Sequence, residues 1–312
     1  MINRRLIRIK IFKILFSRIS SESISLDSAG KELIHSLEKT VDLYFFLLTL
    51  PIALKNYGNV KIELGLRKYH PTPQEANPNR KFVQNRVISI LENDKNRKEY
   101  LSKKGLRWSD YKSFIKKLYI DIHSHSYFIN YMEGKDNSWP EDLSHLTTFF
   151  ETELEDNEEL YQLLEDQNIY WADDLSFVLQ AILKLLSTME EGKTPVHRNM
   201  FKQVEDKEYA MHLLEHSLLH YNEYVALLRS FILNWEVDRM AATDICLIVL
   251  GISEVICCRT IPIKVTINEI VELAKYYSTP NSNLFVNGVL DKIIHHLNEE
   301  ALIIKEGRGL IS

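Results

Sequence analysis

Residues 261–293, "IPIKVTINEIVELAKYYSTPNSNLFVNGVLDKI", carry two helical patterns separated by a short polar turn. Ile267, Ile270, Val271 and Ala274 recur at the three-and-four spacing of one helix face. Phe285, Val286, Val289, Leu290 and Ile293 do the same after the turn. Pro262 suits a helix entry, and Thr266-x-x-Glu269 has the form of a capping box. Asn281 or Ser282 is available to cap the second helix. Asn287-Gly288, ordinarily a turn signal, falls inside that second pattern. The expectation is that Gly288 lets another helix approach closely, which offsets its propensity cost of about 1 kcal/mol.

Working outward, the same periodicity governs most of the 312 residues. The chain is 45% hydrophobic and 26% charged, with only 10 glycines and 8 prolines, so long stretches run without a breaker. Residues 4–18 place Ile7, Ile11, Ile14 and Leu15 on one helical face. A second helix, with Ser28 as its cap, runs to Pro51. Residues 56–80 hold three prolines and few apolar residues and read as a long loop. Helical patterning resumes at Phe82 and continues past Trp108 to Met132, and Ser138 or Asp142 caps the next helix. The acidic 150–166 stretch reads as a solvated face, and 175–189 as a buried helix. Four helical patterns close the chain, at about 205–234, 237–256, 264–277 and 282–298. The fold class expected is all-α.

Charge is unevenly spread. The formal net charge is −5, yet residues 1–21 hold Arg4, Arg5, Arg8, Lys10, Lys13 and Arg18 and no acid, so the remainder sums to −11. Such asymmetry reads either as a basic arm with its own partner or as a solvated helix face. An acid-free, Arg-rich, amphipathic start also has the composition of a mitochondrial transit peptide. It lacks the continuous apolar core and small-residue cleavage site of a secretory signal. Cys246, Cys257 and Cys258 form neither a disulfide framework nor a zinc motif and fit a reducing, cytoplasmic setting. The longest apolar run, 43–54, is too short to span a bilayer and is interrupted by Pro51.

Chemistry-bearing patterns are few. His212, His216 and His220 stack on one helix face with Glu223 nearby, but the helical rise spreads them over about 12 Å. The residue after His212 is Leu213, not the glutamate of a zinc-protease helix, so the histidines read as partly buried or interfacial. His123 and His125 form a weaker pattern still. There is no nucleophile elbow, phosphate-cradling loop or dinucleotide fingerprint. The sequence makes no case for an enzyme or a cofactor.

"IPIKVTINEIVELAK" followed by "SNLFVNGVLDKI", with "NWEVDRMAATDICLIVLGISEVI" upstream, resembles the C-terminal part of the NusB family of bacterial transcription antitermination factors. "RRLIRIKIFKILFS" is similar to the family's Arg-rich first helix. The likeness divides the chain into 1–20, the first helix; 21–200, an enlargement or insertion; and 201–312, the C-terminal family domain. It implies an all-helical fold of two subdomains and binding to boxA-type single-stranded RNA of ribosomal RNA leaders. It further implies pairing with the small-subunit ribosomal protein that acts as NusE, entry into the RNA polymerase elongation complex, and homodimerisation when free. On these terms Arg4, Arg5 and Arg8 fall on family arginines that contact RNA, with Lys10 and Lys13 adding charge and Leu6 standing where a further arginine is usual. Asn281, Ser282 and Phe285 match the turn that approaches RNA, Phe285 being equally readable as core. Phe16 and Asp244 match the partner interface. The alternative is a helical protein–protein scaffold of the transcription or ribosome-assembly machinery with weak or lost RNA binding. NusB-like domains also precede rRNA methyltransferase domains, but about 15 residues remain after this one, and the inserted region holds no nucleotide-binding turn.

Overall fold

The computed structural model describes residues 2–20, 25–197, 199–201, 204–232 and 240–310. The ends of two expected helices, 233–234 and 237–239, and the whole of "NWEVDR" (234–239) lie outside the described residues. The chain order is α1 Arg4–Ser20, α2 Leu26–Leu48, α3 Leu50–Leu66, α4 Pro73–Ala76, α5 Arg86–Asn93, α6 Lys95–Lys104, α7 Lys112–Ile122 and α8 Ser126–Glu133. There follow α9 Trp139–Thr152, α10 Glu158–Gln167, α11 Leu175–Leu186, α12 Val204–Leu219, α13 Tyr221–Phe231, α14 Ala242–Cys257, α15 Ile263–Tyr277 and α16 Ser282–Glu299. Among the described residues β pairing is confined to one isolated bridge, Ile2 with Phe201. The fold is all-α. No helix among the described residues is long and apolar enough to cross a membrane.

The chain divides into two compact units, 1–37 with 199–312, and 38–198. In the first, α14 is buried along nearly its whole length, as a helix apolar all round must be, and α1, α12, α13, α15 and α16 pack about it. In the second, α3 packs on α4, α5 and α7, and α9 on α5, α8 and α11. A buried polar cluster joins elements there. Asp142 accepts from the Tyr131 hydroxyl at 2.7 Å and from the Arg86 backbone and side chain at 3.1 and 2.9 Å. His145 lies stacked on the Tyr131 ring at 4.0 Å.

Several expectations need correction. The 56–80 stretch is mostly helix: α3 runs through Gly58 to Leu66, and Thr72 makes a capping box with Glu75 on α4. Gly58 is there because a Cβ would come within 3.0 Å of Tyr119 and Val83. Thr49 ends α2 before Pro51, and Ser25 rather than Ser28 accepts at its start. Asp94 and Gly105, the latter left-handed at φ +68°, break the stretch expected to run from Phe82 to Met132. Ser138 caps α9 while Asp142 turns inward. Thr266 is no cap: it lies buried inside α15, which begins at Ile263, and its hydroxyl has no partner among the described residues.

Gly288 is also misread by the sequence. Nothing lies within 4 Å of the Cβ it lacks, and the close approach belongs to Gly251 on α14. A Cβ there would meet Leu290 at 3.1 Å and Ile270 at 3.3 Å. Gly288→Ala is therefore expected to raise unfolding stability by up to about 1 kcal/mol, since it removes only backbone freedom. Urea denaturation of the two proteins side by side is the check.

Candidate nucleic-acid interface

Asn3 accepts the Leu6 backbone N–H at 2.9 Å and so opens α1. The helix turns its apolar face, Leu6, Ile7, Ile11 and Leu15, into the core of the first unit. That orientation fixes its arginines. Arg8 is carried inward to 3% exposure, where its Nε donates to both Glu254 oxygens at 2.9 and 3.1 Å. The Tyr209 hydroxyl donates to Glu254 as well. Glu269 completes the cluster: Arg5 donates to it bidentately at 2.8 and 2.7 Å, and Arg8 Nη1 reaches it at 3.4 Å. Arg4 pairs with Asp206 at 3.1 Å and lies over the Tyr209 ring at 4.9 Å.

The electrostatics follow from this wiring. Burial is the largest single effect on the Arg8 cation and works against it, but Glu254, Tyr209 and Glu269 together outweigh it, and the pKa is raised. Burial, reinforced by Glu254, lifts the Tyr209 phenol well above its ordinary value. The hydrogen bond from Arg5 holds Glu269 below the usual carboxylate range. Arg8 is thus a fixed positive charge inside the protein, while Arg4 and Arg5 reach the surface with 36% and 51% of their side chains exposed. No hydrogen bond among the described residues uses Arg5 Nη1 or either terminal nitrogen of Arg4. Those donors are open to a phosphate.

The remaining expected residues fall in two groups. Lys10 is buried and Lys13 half-buried, and neither stands free. At the other end of α15, Asn281 is exposed in the left-handed region at φ +70°. Ser282 is buried and donates to Asp244 at 3.0 Å, and Ser278 donates to the other Asp244 oxygen at 2.5 Å. Asp244 is therefore a buried clasp that ties the start of α14 to the α15–α16 turn. Phe285 is half-buried. Phe16 is exposed at the edge of an aromatic row in which Phe12 stands 6.3 Å from it and 5.3 Å from Tyr277.

Glu254, Tyr209, Asp206 and Glu269 escaped the sequence reading as partners of the arginines. The signal was present in one case: Glu254 is the lone acid in the apolar run 245–256, and such a residue needs a buried cation. Tyr276 also escaped it, and beside the turn it presents a ring that is 79% exposed. The histidine face has His216 and His220 rings 4.5 Å apart and His212 6.4 Å from His216. Burial pushes the His216 pKa down to about 4, and no group of three metal-ligating side chains occurs among the described residues.

The first unit is an all-helical assembly in which an Arg-bearing first helix packs on α12 and α14 and is ion-paired to α15. Residues 160–295 match the NusB family. The transcription antitermination protein NusB of Salinibacter ruber is 38% identical over 105 residues, which is 34% of this chain and 66% of that protein. The protein of the same description from Natranaerobius thermophilus is 32% identical over 111 residues, covering 36% and 76% respectively. A solved structure of T. maritima NusB aligns at 26% identity over 43% of this chain and 84% of its own, with a TM-score of 0.29. The chain belongs to the NusB family. It spans about two thirds of the length of the first of these relatives.

Proposed function

We propose that the chain is a non-enzymatic transcription antitermination factor that binds boxA-type single-stranded RNA of ribosomal RNA leaders. It acts with the ribosomal protein that serves as NusE and with the RNA polymerase elongation complex, in the cytoplasm. The observation that carries this reading is the Arg4–Arg5–Arg8 cluster on a helix that the family uses for RNA. Arg4 and Arg5 offer donors to phosphate, and Arg8 keeps Glu269 oriented so that Arg5 stays extended at the surface. Lys10 and Lys13 add to the positive potential of α1 without contacting RNA directly. Tyr276 and Phe285 supply rings on which unstacked bases lie, beside the exposed Asn281 and the clasped Ser282.

Phe16 lines the partner surface, and Asp244 acts there by holding the α15–α16 turn in place. The same face supports homodimerisation in the partner's absence. Residues 21–200 enlarge the family fold between the first helix and the 201–312 domain, their end from 160 onward lying within the matched stretch. One observation favours the scaffold reading instead: Arg4, Arg5 and Arg8 are each already paired with a carboxylate of their own chain. Reversing Arg4 and Arg5 to glutamate decides between them. The RNA reading expects boxA affinity to fall at least tenfold in a fluorescence-anisotropy titration while the fold is retained. Unchanged affinity leaves the scaffold.

A further inference from the structure

The second unit carries an unevenness of charge larger than that of α1. Residues 95–117 hold nine Lys and Arg against Glu99 and Asp110, a net of +7, so the rest of the chain sums to −12. Arg97 is spent internally, donating to the Leu91 and Glu92 carbonyls at 2.9 and 3.0 Å. The other eight basic residues are exposed.

The segment is anchored along one stretch of α2. The Tyr100 ring of α6 stacks on Phe45 at 4.4 Å, and its hydroxyl donates to Asp42 at 2.6 Å. Trp108, between α6 and α7, stacks on Phe46 at 4.0 Å and donates from its indole N–H to the Phe46 carbonyl at 2.9 Å. Tyr111, just before α7, meets the same Phe46 ring edge-on at 6.0 Å. Residues 42–46 therefore hold Tyr100 of α6 and the Trp108–Tyr111 turn that leads into α7 against one stretch of α2. Phe114, Ile115 and Leu118 turn inward from α7, which leaves Lys112 and Lys116 outward.

Ordinary helix stabilisation does not account for these lysines. Lys103 with Glu99, Arg107 with Asp110 and Lys117 with Glu159 are exposed surface pairs of the usual kind. Lys95, Lys98, Lys112 and Lys116 enter no ion pair among the described residues. Lys95 and Lys112 are the first residues of α6 and α7, and neither helix has an acid in its first turn. A cation at that end opposes the helix dipole. Lys95 with Lys98 and Lys112 with Lys116 are also like charges at i,i+3 and i,i+4, which repel. Asp94 at the α6 cap and Glu99 offset part of this around Lys95 and Lys98, but the like-charge crowding within each lysine pair remains, and a polyanion laid across them relieves it.

We infer that α6 and the start of α7 provide a second contact surface for the sugar–phosphate backbone of single-stranded RNA, additional to the Arg4–Arg5 cluster. It reads no bases. It adds affinity for leader RNA beyond the boxA element, and it rests on the chain being an RNA-binding factor. The test replaces Lys95, Lys98, Lys112 and Lys116 together by glutamine. Binding of a single-stranded leader RNA is then followed by anisotropy across salt concentrations, with anionic phosphatidylglycerol vesicles as a second probe. Four lost contacts at about 0.7 each make the log–log salt slope shallower by about 3, with affinity roughly tenfold weaker at low salt. The thermal midpoint holds or rises, because the replaced charges oppose their helices.

An unchanged slope and affinity overturn the inference. So does binding to vesicles that the lysine variant loses while RNA binding is kept, which makes the face a membrane contact. The Arg4, Arg5 reversal run in parallel separates the two claims. Loss there with none in the lysine variant sinks only the second surface. Loss in the lysine variant alone sinks the α1 site and leaves this one standing.

Discussion

Replacing Glu254 by alanine is expected to destabilise the protein by about 3–5 kcal/mol, a large share of the total for an ordinary domain. The carboxylate is fully buried and is the principal counter-charge to Arg8. Without it a guanidinium that is 3% exposed keeps only the 3.4 Å contact to Glu269, and the Tyr209 hydroxyl loses its acceptor. The cost is that of an uncompensated buried charge, not of the ion pair as such. Arg8→Met in the same background removes the orphaned cation while keeping most of its volume, so the double variant should recover much of the loss. Urea unfolding of the two single variants and the double gives the coupling directly. Additive losses in the double variant would mean that Arg8 and Glu254 act independently.

The second large effect lies in the other unit and depends on pH. His145 is buried among Tyr131, Phe128 and Phe82, and its Nδ1 has no partner among the described residues. Burial lowers its pKa from 6.5 to about 4; Asp142 opposes the shift, and Lys81 and His123 add to it. Between those values the unfolded chain binds a proton that the folded protein refuses. The stability His145 contributes is therefore fully present above pH 6.5 and is lost as pH falls toward 4. The shift corresponds to roughly 3 kcal/mol. Denaturation midpoints measured across that window should fall more steeply for the wild type than for His145→Phe, which cannot take up the proton. Parallel curves for the two proteins would refute the assignment.

The helices themselves were legible in the sequence because α14, α15 and α16 bury continuous apolar faces, and burial of that kind overrides local detail. The same dominance explains the misreadings. Gly58 and Gly65 lie inside α3 because tertiary neighbours stand close to them, and the three prolines that marked 56–80 as a loop, Pro71, Pro73 and Pro78, all fall after α3 ends at Leu66. Thr266-x-x-Glu269 has the form of a cap, but Glu269 is drawn away by Arg5 and Arg8, which lie more than 260 residues earlier. No local rule reports a partner that distant. Asp244 was legible as an acid at a meaningful place, and its burial behind Ser278 and Ser282 was not.

For the site, composition pointed to α1 and was silent on how its charges are held. An arginine count cannot distinguish Arg5, half-exposed, from Arg8, sealed against Glu254, since both are read as +1. The inward face of α1 decides it. The apolar periodicity of residues 6, 7, 11 and 15 sets that face, and the lone acid of α14 was the one clue to the partner Arg8 meets there.

In the proposed function, α1 and the α15–α16 turn hold boxA-type RNA. The most direct test of this is fluorescence anisotropy with labelled boxA RNA and a scrambled control. Each is titrated with and without the NusE-type ribosomal protein over a range of salt. Three or four phosphate contacts give a log–log slope of about −2 to −3. The expected result is that slope, with tighter binding when the ribosomal protein is present and weaker binding of the scrambled strand. Absence of binding in every combination, or equal binding of both strands, would contradict it.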